Sequence, residues 1–276
     1  MQKFPEVPKN TLRIASFDVA KLNFGQWVDE ISVRKLEKLK ERYHKLPSRF
    51  QRRTRGKMNS NVAKILSDLA CAGKRIHLGV YDFREDKTEK DCKFTHEMRK
   101  TLLVHLRSFS DLWKTCEIFV IEQQYFNTFS KGKKRPGANM DPIRVAEAVY
   151  IWLLENYPYK EICYQESTLK TQALGAPWGL NDKQRKKWAT EQAGEYHKLR
   201  GDQDMIDIHD LKARIYRKRL NSEEKIQFFL KDFQSKPREI RELAERMVRE
   251  RQKMDDFSDA FIQLLAYLYK TFVARF

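Results

Sequence analysis

Residues 12–31 have the sequence LRIASFDVAKLNFGQWVDEI and contain two apolar runs separated by a short, more polar segment. The runs, Leu12–Phe17 and Phe24–Ile31, have the composition of strands and follow each other closely, which predicts two paired strands. The first run ends directly at Asp18. A carboxylate at this position would be held at a strand tip, where a rigid sheet can fix it.

Three later apolar runs predict further strands: Ile76–Phe83, Ile118–Ile121 and Ile162–Tyr164. Helical periodicity predicts helices over Thr95–Trp113 and Pro142–Leu154, the second with Asp141 as its N-cap and proline in its first turn. The order β-β-β-α-β-α-β-α predicts an α/β fold, a mixed sheet flanked by helices.

After Trp178 the strand signals stop, and the chain becomes charged and helix-forming to about residue 252. The junctions of these helices are predicted at Asn221–Glu223 and Ser235–Pro237. A last apolar helix, Phe257–Phe272, is expected to pack back on the sheet. We therefore predict one domain over residues 1–276, with a basic insertion at 34–64 and a helical elaboration at about 200–252.

The charge balance indicates a polyanionic partner. Lys and Arg number 55 against 38 Asp and Glu, and the formal net charge is +17. Binding of such a chain to nucleic acid releases counterions from the phosphates. Two basic runs, Arg34–Lys64 and Lys131–Arg135, are interpreted as phosphate contacts, and the alternative is that they are solvated faces.

Membrane insertion and secretion are not expected from this sequence. No run approaches the roughly 20 apolar residues that span a bilayer, and residues 1–10 lack the apolar core of a secretory signal. The four cysteines are scattered and contain no CxxC pair. A reducing, intracellular compartment is therefore predicted.

Acidic side chains occur at three points in the sequence: at the ends of two predicted strands and at the start of the last predicted helix. Asp18 ends the first strand, and Glu122 ends the run Ile118–Ile121. Asp256 and Asp259 lie three residues apart at the start of the last apolar helix, so they share one face. Each acid also has a structural interpretation, as a turn residue, a strand exit or a helix cap.

The combination of four acids has a chemical meaning. Hydrolysis of a phosphodiester requires an activated water and a stabilised leaving oxygen, and two divalent ions about 4 Å apart supply both. Carboxylate oxygens suit Mg²⁺ or Mn²⁺. Acids forced together repel one another unless a cation joins them. We therefore predict that Asp18, Glu122, Asp256 and Asp259 bind two metal ions and form a catalytic site.

Several motifs resemble a known family, the RuvC-like Holliday junction resolvases of the RNase H-like superfamily, especially their poxviral and fungal mitochondrial branch. The similar stretches are Asp18–Asn23 (DVAKLN), with Ala20 where glycine is usual, Val120–Gln124 (VIEQQ), Tyr164–Gly175 (YQESTLKTQALG), Arg185–Ala189 (RKKWA) and Lys253–Ala260 (KMDDFSDA). They occur in the order found in the family and span most of the chain.

The resemblance implies an RNase H-like fold, Mg²⁺ or Mn²⁺, a homodimer and paired nicks in four-way DNA junctions. It also implies a catalytic lysine at Lys170, which could offset charge on the scissile phosphate or could be a surface lysine. A viral factory or host cytoplasm, a mitochondrion and a nucleus all remain open as locations.

Two other functions remain open. One is an RNase H-like nuclease for another substrate, such as an RNA–DNA hybrid or a flap; the other is a catalytically inactive DNA-binding protein. A basic helical protein that binds a partner is a third possibility. His197 and His209 could act as a general base, but lone histidines on helices are more often structural or solvated. Tyr125 and Phe126 could stack on a base, and for Phe126 core packing is the alternative. Trp178 and Trp188 are expected to be packing residues.

Overall fold

The computed structural model describes residues 7–20, 23–51, 58–84, 93–124, 140–217, 223–249 and 255–274. Within them, one five-stranded sheet has the strand order β3-β2-β1-β4-β5. The strands are β1 (Thr11–Asp18), β2 (Phe24–Ser32), β3 (Gly73–Tyr81), β4 (Ile118–Gln123) and β5 (Glu161–Glu166). All five correspond to strands expected from the sequence.

The sheet is mixed, as predicted. Strand β2 runs antiparallel to both β1 and β3, whereas β4 runs parallel to β1 and to β5. Parallel neighbours require a crossover connection, and helices supply it here. The predicted fold class, an α/β mixed sheet flanked by helices, is confirmed.

The helices cover both faces of this sheet. They are α1 (Val33–His44), α2 (Ser48–Gln51), α3 (Ser60–Ala70), α4 (His96–Ser108), α5 (Ser110–Thr115), α6 (Asp141–Asn156), α7 (Ser167–Ala173), α8 (Asp182–Arg200), α9 (Gln203–Arg217), α10 (Glu223–Leu230), α11 (Arg238–Arg249) and α12 (Asp255–Leu268). A π-helical segment, Tyr269–Ala274, continues α12. No helix in the described ranges combines the length and the apolar composition needed to cross a membrane.

The predicted order of elements omitted the helices between β2 and β3. Helix α1 lies in the basic insertion and buries Leu36, Leu39 and Tyr43, while the basic side chains between them face outward. Apolar residues three or four positions apart form one face of a helix. The insertion therefore contributes one face of α1 to the core. The second basic run, residues 131–135, lies outside the described residues.

Two helix boundaries also differ from the prediction. The helix expected over Thr95–Trp113 is interrupted at Phe109, whose backbone is not helical (φ −104°, ψ 15°). The hydroxyls of Ser108 and Ser110 donate to the carbonyls of His105 and Arg107, and such bonds compete with helix continuation. Asp141 is the first residue of α6 rather than its N-cap, which is Met140.

Side chains alternate between two hydrophobic clusters, one on each face of the sheet. Ile14 and Val120 belong to the cluster that also contains α1, α3, α8, α9, α11 and α12. Ala15 and Phe119 belong to the other cluster, which contains α4, α5 and α6. This alternation follows from the two-residue period of a strand. Even-numbered positions of β1 and β4 thus face α12.

The helical elaboration joins the first cluster and is fastened to the sheet by charge. Its helices are confirmed, as is the junction at Ser235–Pro237, whereas Asn221 and Ser222 lie outside the described residues. Arg200, at the end of α8, pairs with Asp29 of β2 at 2.9 Å, and both side chains are at most 3% exposed. Arg75 of β3 pairs with Asp202 at 2.8 Å. The α8–α9 junction is therefore fixed relative to β2 and β3.

Candidate functional site

Strand register brings the first two predicted acids together. The parallel β1–β4 ladder pairs Ile14 with Ile118 and continues to Phe17 with Ile121. The next step of the same register sets Asp18 beside Glu122. Both occupy even-numbered positions, so both face α12. They are 8% and 7% exposed, so each carboxylate is held at a strand end and largely removed from water.

The third acid comes from α12, which is apolar around its whole circumference and is buried accordingly. Asp259 and Gln263 are polar exceptions on one face of this helix, four residues apart, and are 6% and 0% exposed. The Gln263 amide donates to the carbonyls of Phe17 and Val120 at 3.3 and 3.2 Å. These bonds tie α12 to the strand ends and set Asp259, one turn earlier, beside the acids.

Lys170 of α7 lies among the three carboxylates. Its ammonium nitrogen is 2.9 Å from Glu122 Oε1, 3.6 Å from Asp259 Oδ1 and 3.9 Å from Asp18 Oδ1. The lysine is 6% exposed. The interpretation of Lys170 as a surface lysine is therefore wrong. An unpaired charge buried to this extent would be costly, and the four groups offset one another.

The surroundings raise the pKa values of Asp18 and Lys170 and lower that of Glu122. Burial, followed by the neighbouring charge of Glu122, raises the pKa of Asp18 well above its usual value. Burial would also raise the pKa of Glu122, but the Lys170 ammonium and hydrogen bonds to its charged form lower it to about 2. Burial opposes protonation of Lys170, yet the carboxylates of Asp259, Glu122 and Asp18 raise its pKa. Burial therefore favours the protonated form of Asp18, whereas the Lys170 ammonium favours the ionised form of Glu122.

Four of the five predicted site residues therefore converge: Asp18, Glu122, Asp259 and Lys170. The backbone of Asp256 lies one turn before Asp259, in the first turn of α12. Its side chain lies outside the described part of the structure, so its place at the site stays a prediction.

A cleft opens beside the acids and has a basic wall. Glu122, Lys170 and Asp259 line one side of it. The opposite wall comes from the start of α8, with Arg185 and Lys186, and Arg185 is paired with Asp182. Cationic side chains next to a carboxylate cluster suit a ligand that carries negative charge and reaches a bound cation. Of this wall, Arg185 and Lys186 were noted in the sequence only through the resemblance.

Two glutamines at the site were missed as site residues. Gln124 donates to Glu122 Oε2 at 2.9 Å and so orients this carboxylate. Gln165 pairs with Glu122 across the β4–β5 ladder and is 6% exposed, and its amide nitrogen has no hydrogen-bond partner among the residues that the structure describes. The signal that could reveal Gln165 is the strand register, which requires knowing that β5 lies next to β4.

The donor set suits a hard cation, because carboxylate oxygens are the preferred ligands of Mg²⁺. In the structure, the carboxylates of Asp18, Glu122 and Asp259 surround the ammonium group of Lys170. Within the described ranges, no group of three or more His, Cys, Asp or Glu side chains is arranged to hold a metal ion. The ammonium of Lys170 shows that the space between these acids accepts positive charge.

Several other predicted side chains lie elsewhere. His197 and His209 do not line the cleft, and burial lowers the pKa of His209 to about 4, so neither is placed as a base there. Trp188 packs against the core, as expected. Trp178 was expected to pack as well, but it is 61% exposed in the loop before α8. Tyr125 and Phe126 lie outside the described residues.

No protein-family model matches the sequence, and no curated protein matches it significantly. Two solved structures align with the fold. Thermus thermophilus RuvC in complex with a Holliday junction substrate aligns with a TM-score of 0.43 and 10% identity over 94% of each chain. A second structure of Thermus thermophilus RuvC has a TM-score of 0.40 and 11% identity, covering 94% of this chain and 95% of that one.

Proposed function

We propose that this chain is a metal-dependent nuclease that cuts branched DNA and has its active site at Asp18, Glu122, Asp259 and Lys170. The observation that carries the proposal is the convergence of three buried carboxylates from β1, β4 and α12 on one ammonium group. Buried charges of like sign are costly to hold together, so a cluster of this kind indicates a functional site.

The proposed metal ligands are the carboxylates of Asp18, Glu122 and Asp259, with Asp256 as the fourth. Divalent ions bound there would activate a water and stabilise the leaving oxygen of a phosphodiester. The chain's own groups supply the rest. Gln124 orients Glu122, and Gln263 fixes α12 against the strand ends. Lys170, Arg185 and Lys186 line the same cleft and attract the phosphate backbone.

The preference for four-way junctions, and the homodimer that would cut two strands, follow from the resemblance of the ordered motifs. A homodimer suits a junction with two equivalent strands. The net charge of +17 supports a nucleic-acid substrate without selecting among branched, hybrid and duplex forms.

The substrate is tested by cleavage of a four-way DNA junction, a plain duplex and an RNA–DNA hybrid of matched sequence, each with and without Mg²⁺. We expect Mg²⁺-dependent nicking of the junction above the other two. Equal cutting of all three would remove the junction preference, and preferred cutting of the hybrid would assign the second substrate class.

The site is tested by Asp18→Asn, which is expected to abolish cutting and to preserve junction binding, because asparagine keeps the size of the side chain and cannot supply a carboxylate. Asp68→Asn is the matched control, since Asp68 forms a half-exposed pair with Arg42 on α1. Cutting by Asp18→Asn at the wild-type rate would refute the site.

A catalytically inactive DNA-binding protein is the second candidate. The observation that favours it is that the described carboxylates are directed at Lys170 rather than arranged around a metal position. Junction binding without cleavage in either Mg²⁺ or Mn²⁺ would establish it.

A further inference from the structure

A long groove between α8 and α9 leads away from the cleft. It has a volume of about 1220 Å³, and Lys186 lines both the groove and the cleft. One face of α8 forms a wall of the groove from Lys183 to Lys198, and α9 contributes residues from His209 to Ala213. The two helices approach closely at Gly194, where a Cβ atom would lie 3.3 Å from the His209 ring.

The charge of this groove is mainly positive. Its lining contains five lysines and three carboxylates: Lys183, Lys186, Lys187, Lys198 and Lys212, with Glu191, Glu195 and Asp210. Two of the carboxylates pair with lysines of the groove itself, Glu191 with Lys187 at 3.7 Å and Glu195 with Lys198 at 2.9 Å. Burial lowers the pKa of His209 to about 4, so this side chain is neutral near pH 7. The excess of lysine is greatest in the first two turns of α8, which also line the cleft with Glu122 and Asp259.

The length and rigidity of the groove suit a nucleic-acid strand in helical form. Lys186 and Lys198 are twelve residues apart on α8, which corresponds to about 18 Å along the helix axis. A nucleic-acid strand in helical form carries a phosphate every ~3.4 Å, so about five phosphates fit this length. The ion pair between Arg200 and Asp29 holds the far end of α8 on β2, so the walls are set before a ligand binds.

We propose that the α8–α9 groove binds the phosphate backbone of a DNA strand as it leaves the cleft at Lys186. This inference rests on the proposed nuclease function and extends it, because it assigns a path to the strand outside the cutting site. The lysines contact successive phosphates and release counterions, and the partly exposed Trp188 lies against the strand within the same groove.

The test compares two variants that lose the same charge. The groove variant is Lys183→Gln, Lys187→Gln, Lys198→Gln and Lys212→Gln, which leaves Lys186 of the cleft intact. The control variant is Lys74→Gln, Lys93→Gln, Lys100→Gln and Lys114→Gln, all exposed and away from the groove. Each set contains two lysines in short-range helix ion pairs: Lys187 and Lys198 in the first, Lys100 and Lys114 in the second.

Binding of a labelled single-stranded DNA oligonucleotide is measured over a range of salt concentrations in the Asp18→Asn background, so that cleavage does not interfere. We expect the groove variant to bind about 10–100-fold more weakly near 0.1 M salt, and its salt slope to fall by about 2.8, because each of the four lost phosphate contacts removes ~0.7. The control variant is expected to lose far less. Equal losses in the two variants, or an unchanged slope in the groove variant, would overturn the proposal.

A second readout separates this proposal from the nuclease function. With Asp18 restored, the groove variant is expected to raise the KM for a DNA substrate and to leave kcat unchanged, since the cleft is intact. Absence of cutting by the wild-type protein would refute the nuclease, whereas wild-type cutting with an unchanged KM in the groove variant would refute the groove alone. Binding should also change the emission of Trp188, and Trp188→Phe should remove that change.

Discussion

Replacing Lys170 by methionine gives the sharpest test of how the carboxylate cluster is held. The substitution keeps the length of the side chain and removes an ammonium that lies 2.9 Å from Glu122 Oε1 and within 4 Å of Asp259 and Asp18. Burial and the charge of Glu122 raise the pKa of Asp18, whereas the Lys170 ammonium lowers that of Glu122, so the loss is expected to fall mainly on Glu122. Removal of one partner of a buried ion pair costs about 3–5 kcal/mol.

We therefore expect the free energy of unfolding in EDTA to fall by about 3–5 kcal/mol in Lys170→Met. The measurement is urea unfolding followed by circular dichroism. Lys160→Met is the matched control, because Lys160 pairs with Glu117 at 3.2 Å and that carboxylate is 50% exposed. An exposed pair of this kind contributes about 0–1 kcal/mol.

Mg²⁺ extends the same experiment. If divalent ions bind among these carboxylates, they replace the missing positive charge, and the stabilisation by Mg²⁺ should be larger in Lys170→Met than in the wild type. A ligand at 100 times its Kd stabilises the folded state by about 2.7 kcal/mol. A loss below about 1 kcal/mol in EDTA, equal to that of Lys160→Met, would refute the view that Lys170 neutralises the cluster.

Three further predictions concern histidine and tryptophan side chains. Burial lowers the pKa of His77 and of His209 to about 4, from 6.5, and lowers that of His197 well below its usual value. Below pH 6.5, the unfolded chain therefore binds more protons at these histidines than the folded chain does. The free energy of unfolding should fall between pH 6.5 and 4 by up to about 1.4 kcal/mol per pH unit for each such histidine. A urea midpoint that does not change over that range would contradict this. His197→Phe should raise stability by about 1 kcal/mol at pH 7.5 and by more at pH 5, because neither ring nitrogen of His197 has a hydrogen-bond partner within the described ranges. Greater stability of the wild type at pH 5 would show that the ring is satisfied. Trp178→Ala should change the free energy of unfolding by less than about 0.5 kcal/mol, whereas Trp113→Ala, at a fully buried position, should cost about 3–5 kcal/mol; similar losses for the two would mean that Trp178 packs.

Local signals were sufficient for the elements that end in acids. The strand ending at Asp18 and the strand ending near Glu122 were predicted because apolar runs of this length have few other structures open to them. The helix carrying Asp259 was predicted because its apolar residues recur on all sides. The helices between β2 and β3 were missed, since the basic residues of α1 outnumber the three that it buries and conceal its apolar face.

The site shows the same division. Asp18, Glu122 and Asp259 were assigned from their places in the sequence. Lys170 was assigned only through the resemblance, because the sequence leaves the burial of this side chain undecided. Gln165 was overlooked for a related reason: its neighbour Glu122 is 43 residues away in the chain and is adjacent only through the β4–β5 ladder. Trp178 was assigned to packing from its residue type, and the open loop before α8 exposes it.

The sequence alone determined which residues form strands, that these strands have two apolar faces, and that acids stand at the ends of β1 and β4. These properties depend on neighbours in the chain, and the two-residue and 3.6-residue periods report them directly. Only the tertiary structure decided that β1 and β4 are parallel neighbours in the register that sets Asp18 beside Glu122, and that Lys170 neutralises them. Strand pairing and burial are set by the free energy of the whole core, to which residues distant in the sequence contribute jointly.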